Sequence, residues 1–83
     1  MNPGTWIFDK GRSGVFPFLR NIADDSVAIA VDCDFVSWTG WKWLIHPFDS
    51  KDAVIYSVWT ELRLGDVRED AVLVFIEDVW FLQ

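Results

Sequence analysis

Residues Val27 to His46 hold two runs that alternate with a period of two, interrupted by Ser37-Trp38-Thr39-Gly40. Such alternation marks strands with one buried and one wet face, and a short break containing glycine marks a hairpin turn. The turn length decides which side chains share a face. A two-residue Thr39-Gly40 loop requires β-branched Thr39 at positive φ, which is unfavourable. A three-residue Trp38-Thr39-Gly40 loop needs only Gly40 in the left-handed region. The longer loop predicts pairing of residue 37 with 41, 35 with 43, and 33 with 45. Ile29, Val31, Cys33, Phe35, Trp41, Trp43 and Ile45 then form an apolar face. Asp32, Asp34, Val36, Lys42, Leu44 and His46 form the other, with Asp32 opposite His46 and Asp34 diagonal to Lys42.

The rest of the chain reads as further β structure. Thr5 to Phe8 suits a short strand. Val15 to Ala23 is either a short helix opened by Pro17 or an irregular edge segment. Asp24-Asp25-Ser26 is a turn. Ala53 to Leu64 alternates as a strand, with Val54, Tyr56, Val58, Thr60, Leu62 and Leu64 on one face. It also carries a helical stripe of Val54, Ile55, Val58, Trp59 and Leu62. Its β-branched and aromatic content favours the strand. Ala71 to Ile76 is apolar on both faces. Glu77-Asp78 interrupts it before Val79 to Leu82, as a bulge in one bent strand or as the boundary of a short tail.

The expected fold is mainly β, or α+β if a short helix forms near residues 15–23. It is a single domain over residues 1–83, with a twisted antiparallel sheet of four or five strands that can roll into a small open barrel. Eighty-three residues enclose only a small core, yet 52% of the chain is hydrophobic and 17% aromatic. That surplus predicts an exposed apolar surface and self-association or another partner.

Charge narrows the partner. Thirteen acids face seven Lys and Arg, for a net charge of −6. An acidic chain repels a phosphate backbone, which argues against nucleic acid and allows a basic protein partner. The basic residues Lys10, Arg12 and Arg20 fall together near the start and form the one expected anion contact. Their glycine-bearing loop, Gly11 to Gly14, lacks the lysine-hydroxyl pair of a phosphate loop.

Catalytic residue types are scarce, so the chain is not expected to be an enzyme. His46 and Asp32 are placed for a dyad, but a cross-strand charge pair on a sheet surface is the reading they favour. Cys33 falls on the opposite face from His46 and reads as a small hydrophobe. No spacing suits a metal, and no cofactor is implied. One cysteine permits no internal disulfide and suits a reducing compartment. Pro17 and Arg20 break any leader-like apolar core, and no run approaches a membrane span. The cytoplasm is the expected location.

Trp38, Trp41 and Trp43 carry the functional expectation. A tryptophan at a hairpin tip is hard to bury within its own small domain, and indoles are enriched at interface hot spots. The expected binding residues are these three with Asp32, Asp34 and His46 beside them. The expected role is an interaction module that binds itself as a homo-oligomer, or a basic protein. The alternative is a small-ligand protein that stacks a sugar or flat aromatic on the indoles.

Overall fold

Seven strands close into a barrel in this computed structural model, which describes residues 1–10, 17–37, 40–47 and 51–83, with the side chains of Asp32, Phe35 and Ser37 outside the description. The strands are β1 (Gly4–Asp9), β2 (Phe18–Asn21), β3 (Val27–Ser37), β4 (Gly40–Pro47), β5 (Val54–Trp59), β6 (Val72–Ile76) and β7 (Val79–Leu82). Around the barrel the order is β1-β2-β3-β4-β5-β7-β6, with β6 returning to β1. The mainly β, barrel-like expectation holds, with more strands and full closure. Closure gives every strand a neighbour on both sides.

One pair breaks the antiparallel pattern. β5 runs parallel to β7, through Ser57 with Val79, Val58 with Trp80 and Trp59 with Phe81. A parallel neighbour needs a crossover. Here the chain leaves β5, crosses one end of the barrel and returns down β6. The crossover contains a single 3-10 turn, Leu64–Asp66, and buries Leu64 and Val67. These two side chains plug that end of the core. The described part of the 15–23 segment is strand β2 and a turn, so the irregular-edge alternative is nearer than the helix. Val54 to Trp59 is strand, as alternation favours, with Tyr56 and Val58 inward.

Glu77-Asp78 is neither a bulge nor a tail boundary. Ile76 pairs with Val79, so the two acids form a two-residue hairpin loop. Their φ values of 51° and 63° place both in the left-handed region, the signature of a type I′ turn. Neither Glu nor Asp is favoured there; Asn-Gly is. The double substitution Glu77→Asn, Asp78→Gly is therefore expected to stabilise the fold by about 1 kcal/mol and raise Tm by about 4–8 °C. A thermal melt with an unchanged or lower midpoint would contradict this turn geometry.

The β3–β4 hairpin corrects the expected register. Ser37 pairs with Gly40, Phe35 with Trp41, Cys33 with Trp43, Asp32 with Leu44 and Ile29 with His46. The loop between paired residues is thus two positions long, and residues 38 and 39 themselves lie outside the described residues. Two interruptions in the ladder, at Val31 and Val36, absorb one extra residue each. The one at Val31 has the larger consequence. Each bulge reverses the inward and outward phase of what precedes it. Ala28 and Ala30 therefore point into the core with no exposure, while Ile29 is half-buried and Val31 exposed. The expected inward positions, Ile29 and Val31, are overturned.

Small side chains at 28 and 30 match the size of what they face. The interior is filled by Trp6, Phe8, Trp43, Tyr56, Phe75 and Trp80, with Leu19, Ile45, Val58 and Leu73 between them. Ring centroids stand 4.5 Å apart for Phe75 and Trp80, 5.3 Å for Trp6 and Trp80, and 5.3 Å for Tyr56 and Phe75. Interiors pack to crystal density, so wide indoles on some strands leave room only for alanine on another.

Candidate functional site

The expected tryptophan patch divides on folding. Trp43 has no exposure and belongs to the core, so it is not available to a partner. Trp41 is half-buried and packs against that core, paired across the ladder with Val58. Trp38 lies outside the described residues. Trp59 is 53% exposed. The closed barrel thus encloses more rings than the chain length suggested, and among the described residues the exposed aromatics, Trp59 and Phe81, are ones that the sequence reading did not select as binding residues.

The expected dyad is not assembled as read. Asp32 stands opposite Leu44 and His46 opposite Ile29, because the bulge at Val31 moves the register by one residue between them. Asp34 and Lys42 face each other directly rather than diagonally. Lys10 and Arg20 are not brought together either. Arg20 holds an ion pair with Asp25 at 3.2 Å, below β2, while Lys10 follows β1 at the other end and its backbone N–H donates to Glu69. Arg12 lies outside the described residues. Cys33 is half-buried against the core. Among the described residues, no three of His, Cys, Asp and Glu converge as metal ligands.

The outer wall of β5, β7 and β6 presents a different arrangement. Strand pairing sets side chains of one face in rows. One row runs Trp59, Phe81, Val74, Thr5 across four strands, and the next runs Ser57, Val79, Ile76. Trp59, Phe81 and Ile76 are 53%, 40% and 50% exposed, and Val74 and Val79 are half-buried. None of the residues in β5, β6 or β7 is charged. On β4 the wall ends at Lys42, which pairs with Ser57. This is a contiguous apolar area on three adjacent strands, not a scatter of single residues.

Acidic groups flank the wall at both ends. Glu77 and Asp78 form the turn below it, and Glu61 follows Trp59 and Thr60 above it, all exposed. Arg63, two residues after Glu61, is held by Asp66 at 3.1 Å. Below, Lys51 and Asp52, exposed and of opposite charge, precede β5. Asp78 also acts inward: burial first, and the Asp78 charge second, push the Tyr56 hydroxyl above its ordinary titration range. Asp24, in the β2–β3 turn, is held below the usual carboxylate range chiefly by the Ser26 hydroxyl, then by the Ser26 N–H and Asn2.

Hollows are small near the exposed ring. Trp41, Trp59, Val36, Lys42 and Ser57 border a depression of about 90 Å³. A larger hollow of about 340 Å³ lies at the opposite end, among Met1, Asn2, Asp25, Ser26 and Pro47. Its one ring, Trp6, is 1% exposed, and the Trp6 indole N–H donates to the Asn2 carbonyl. No helix is long and apolar enough to cross a membrane.

No family model, no curated protein and no solved structure matches the chain. The functional reading therefore rests on these residues alone.

The residues missed by the sequence reading were visible in it. A strand with one wet face needs apolar residues at alternate positions only. The β6 and β7 runs are apolar at every position, and β5 is so except at Ser57. That doubled apolarity was the available signal for an uncharged exterior.

Proposed function

We propose that this protein is a non-enzymatic interaction module whose contact face is the outer wall of β5, β7 and β6. The observation that carries the reading is the uncharged row through Trp59 and Phe81, standing exposed on a barrel whose interior is already full. Leaving Trp59 and Phe81 about half exposed, side by side, forgoes roughly half of the 1.5–3 kcal/mol that full burial of each supplies. A contact that covers them recovers that free energy, and aromatic residues in such positions serve as interface anchors. Closure shapes the mode of contact. On the wall each of β5, β7 and β6 has a strand partner on both sides, so a protein docking there meets side chains rather than a free strand edge.

The stacking of a small ligand fits less well. Ligand sites usually enclose about 300–1,000 Å³, and the depression that Trp41 and Trp59 share holds about 90 Å³. The single cysteine is compatible with a cytoplasmic module.

Photo-crosslinking tests the reading. A benzophenone amino acid replaces Ser57, inside the wall, or Arg20, outside it. Irradiation in the cells of origin is expected to give a discrete adduct from position 57 alone, lost when Trp59 and Phe81 are changed to Asp. Equal labelling from both positions, or none from 57, would refute it.

A further inference from the structure

Resting on that reading, we infer that the wall's occupant is a basic protein surface with an apolar centre, rather than a second copy of this chain. Two placements lead there. Carboxylates stand at both ends of the wall, Glu77 and Asp78 below and Glu61 above. The whole chain also carries a net charge of −6.

A pair of copies meeting wall to wall is related by a two-fold axis lying in the interface. An axis along the strands sets Glu77 and Asp78 against the same residues of the other copy. An axis across the strands sets them against its Glu61. Both of these arrangements bring carboxylates together at the rim of the contact, where their repulsion disfavours the pair. Lys42 does not relieve this, because it sits on the β4 flank with Asp34 opposite it. A partner that places Lys or Arg at both rims and apolar side chains on the Trp59–Phe81 row satisfies both features. The apolar centre supplies affinity and the rim supplies orientation and rate of encounter.

Two synthetic probes of equal length separate the cases: a peptide of alternating Leu and Lys, and its counterpart of alternating Leu and Glu. Calorimetric titration of the whole protein is expected to show the Leu/Lys peptide binding at least about 100-fold more tightly than the Leu/Glu peptide at low salt. Neutralising the rim by Glu61→Gln, Glu77→Gln and Asp78→Asn is expected to weaken Leu/Lys binding about 10-fold. Replacing Trp59 and Phe81 by Ala is expected to weaken it by a similar factor. Circular dichroism on each variant checks that the barrel persists. If the neutral rim binds the Leu/Lys peptide as well as the native one, the basic partner is refuted and the wall remains. Sedimentation that shows a dimer dissolved by Trp59→Asp also refutes it, in favour of a second copy, and again leaves the wall as an interface. If neither peptide binding nor self-association responds to Trp59 and Phe81, the interaction reading falls as well.

Discussion

Replacing Trp80 by Ala is expected to remove about a quarter or more of the protein's stability. Trp80 has no solvent exposure and touches rings from three other strands: Trp6 on β1, Phe75 on β6 and Tyr56 on β5, the last at 6.4 Å between centroids. It also occupies the parallel seam, paired with Val58, where the barrel closes. Truncating a buried Trp to Ala costs about 3–5 kcal/mol. A chain of this size is stable by about 4–12 kcal/mol in total, at roughly 0.05–0.15 kcal/mol per residue. The loss therefore takes a large share of the stability, and the hole opens at the one closure made without an antiparallel ladder. Trp80→Phe should be far milder, at less than about 2 kcal/mol. The Trp80 indole N–H is buried with no acceptor among the described residues, and so is that of Trp43. Removing an unsatisfied donor returns about 1–3 kcal/mol and offsets part of the lost packing. Urea denaturation of both variants measures the difference. An Ala variant with a native midpoint would mean that the Trp80 ring is not the hub of this core.

The contrast between Trp80 and Trp59 shows how far the sequence could be read. Alternation in Val27 to Ile45 and in Val54 to Leu64 made the β class and most strands legible, because period-two burial is written directly into residue order. Tyr56 and Val58 pointed inward as read. Closure was not legible. It depends on β5 pairing with β7 rather than with β6, a non-local choice that no local run encodes. The two bulges were hidden for a related reason. One extra residue at Val31 leaves the composition unchanged yet exchanges Ile29 for Ala28 and Ala30 as the inward set. The candidate site suffered most from this. Clustering in sequence drew attention to Trp41 and Trp43, but a closed barrel places those two against Val58 and Tyr56, facing the core. Trp59 stands alone in sequence. It becomes part of a surface only because Phe81, 22 residues later, is its neighbour in the parallel ladder.

The bulge at Val31 is itself open to a pair of deletions. Removing Val31 alone should leave the native fold in place, because Val31 is the residue that the β4 ladder skips. Ala30 stays opposite Ile45, Asp32 opposite Leu44 and Cys33 opposite Trp43, and the ladder becomes regular. The loss is expected to stay below about 3 kcal/mol. Removing Val31 and Asp32 together should abolish the native fold, because Cys33 then follows Ala30 directly and β3 changes phase. If residues 27–30 keep their phase, Cys33 turns outward and Asp34, exposed in the native barrel, turns toward the core. A carboxylate buried without a partner costs several kcal/mol or forces protonation. If instead residues 33–37 keep their phase, Ala28 and Ala30 turn outward and Ile29 enters space that Phe8, Leu19 and Ile45 leave for alanine. Overpacking of that kind costs about 1–3 kcal/mol, with the lost burial of both alanines added. Neither phase suits a barrel whose other strands are already fixed by closure. Near-ultraviolet circular dichroism reads the outcome, since the packed indoles give a strong fixed signal only in the native core. Loss of that signal in the single deletion, or its retention in the double one, would show that Val31 is an ordinary member of β3, and the assignment of Ala28 and Ala30 to the interior would be wrong.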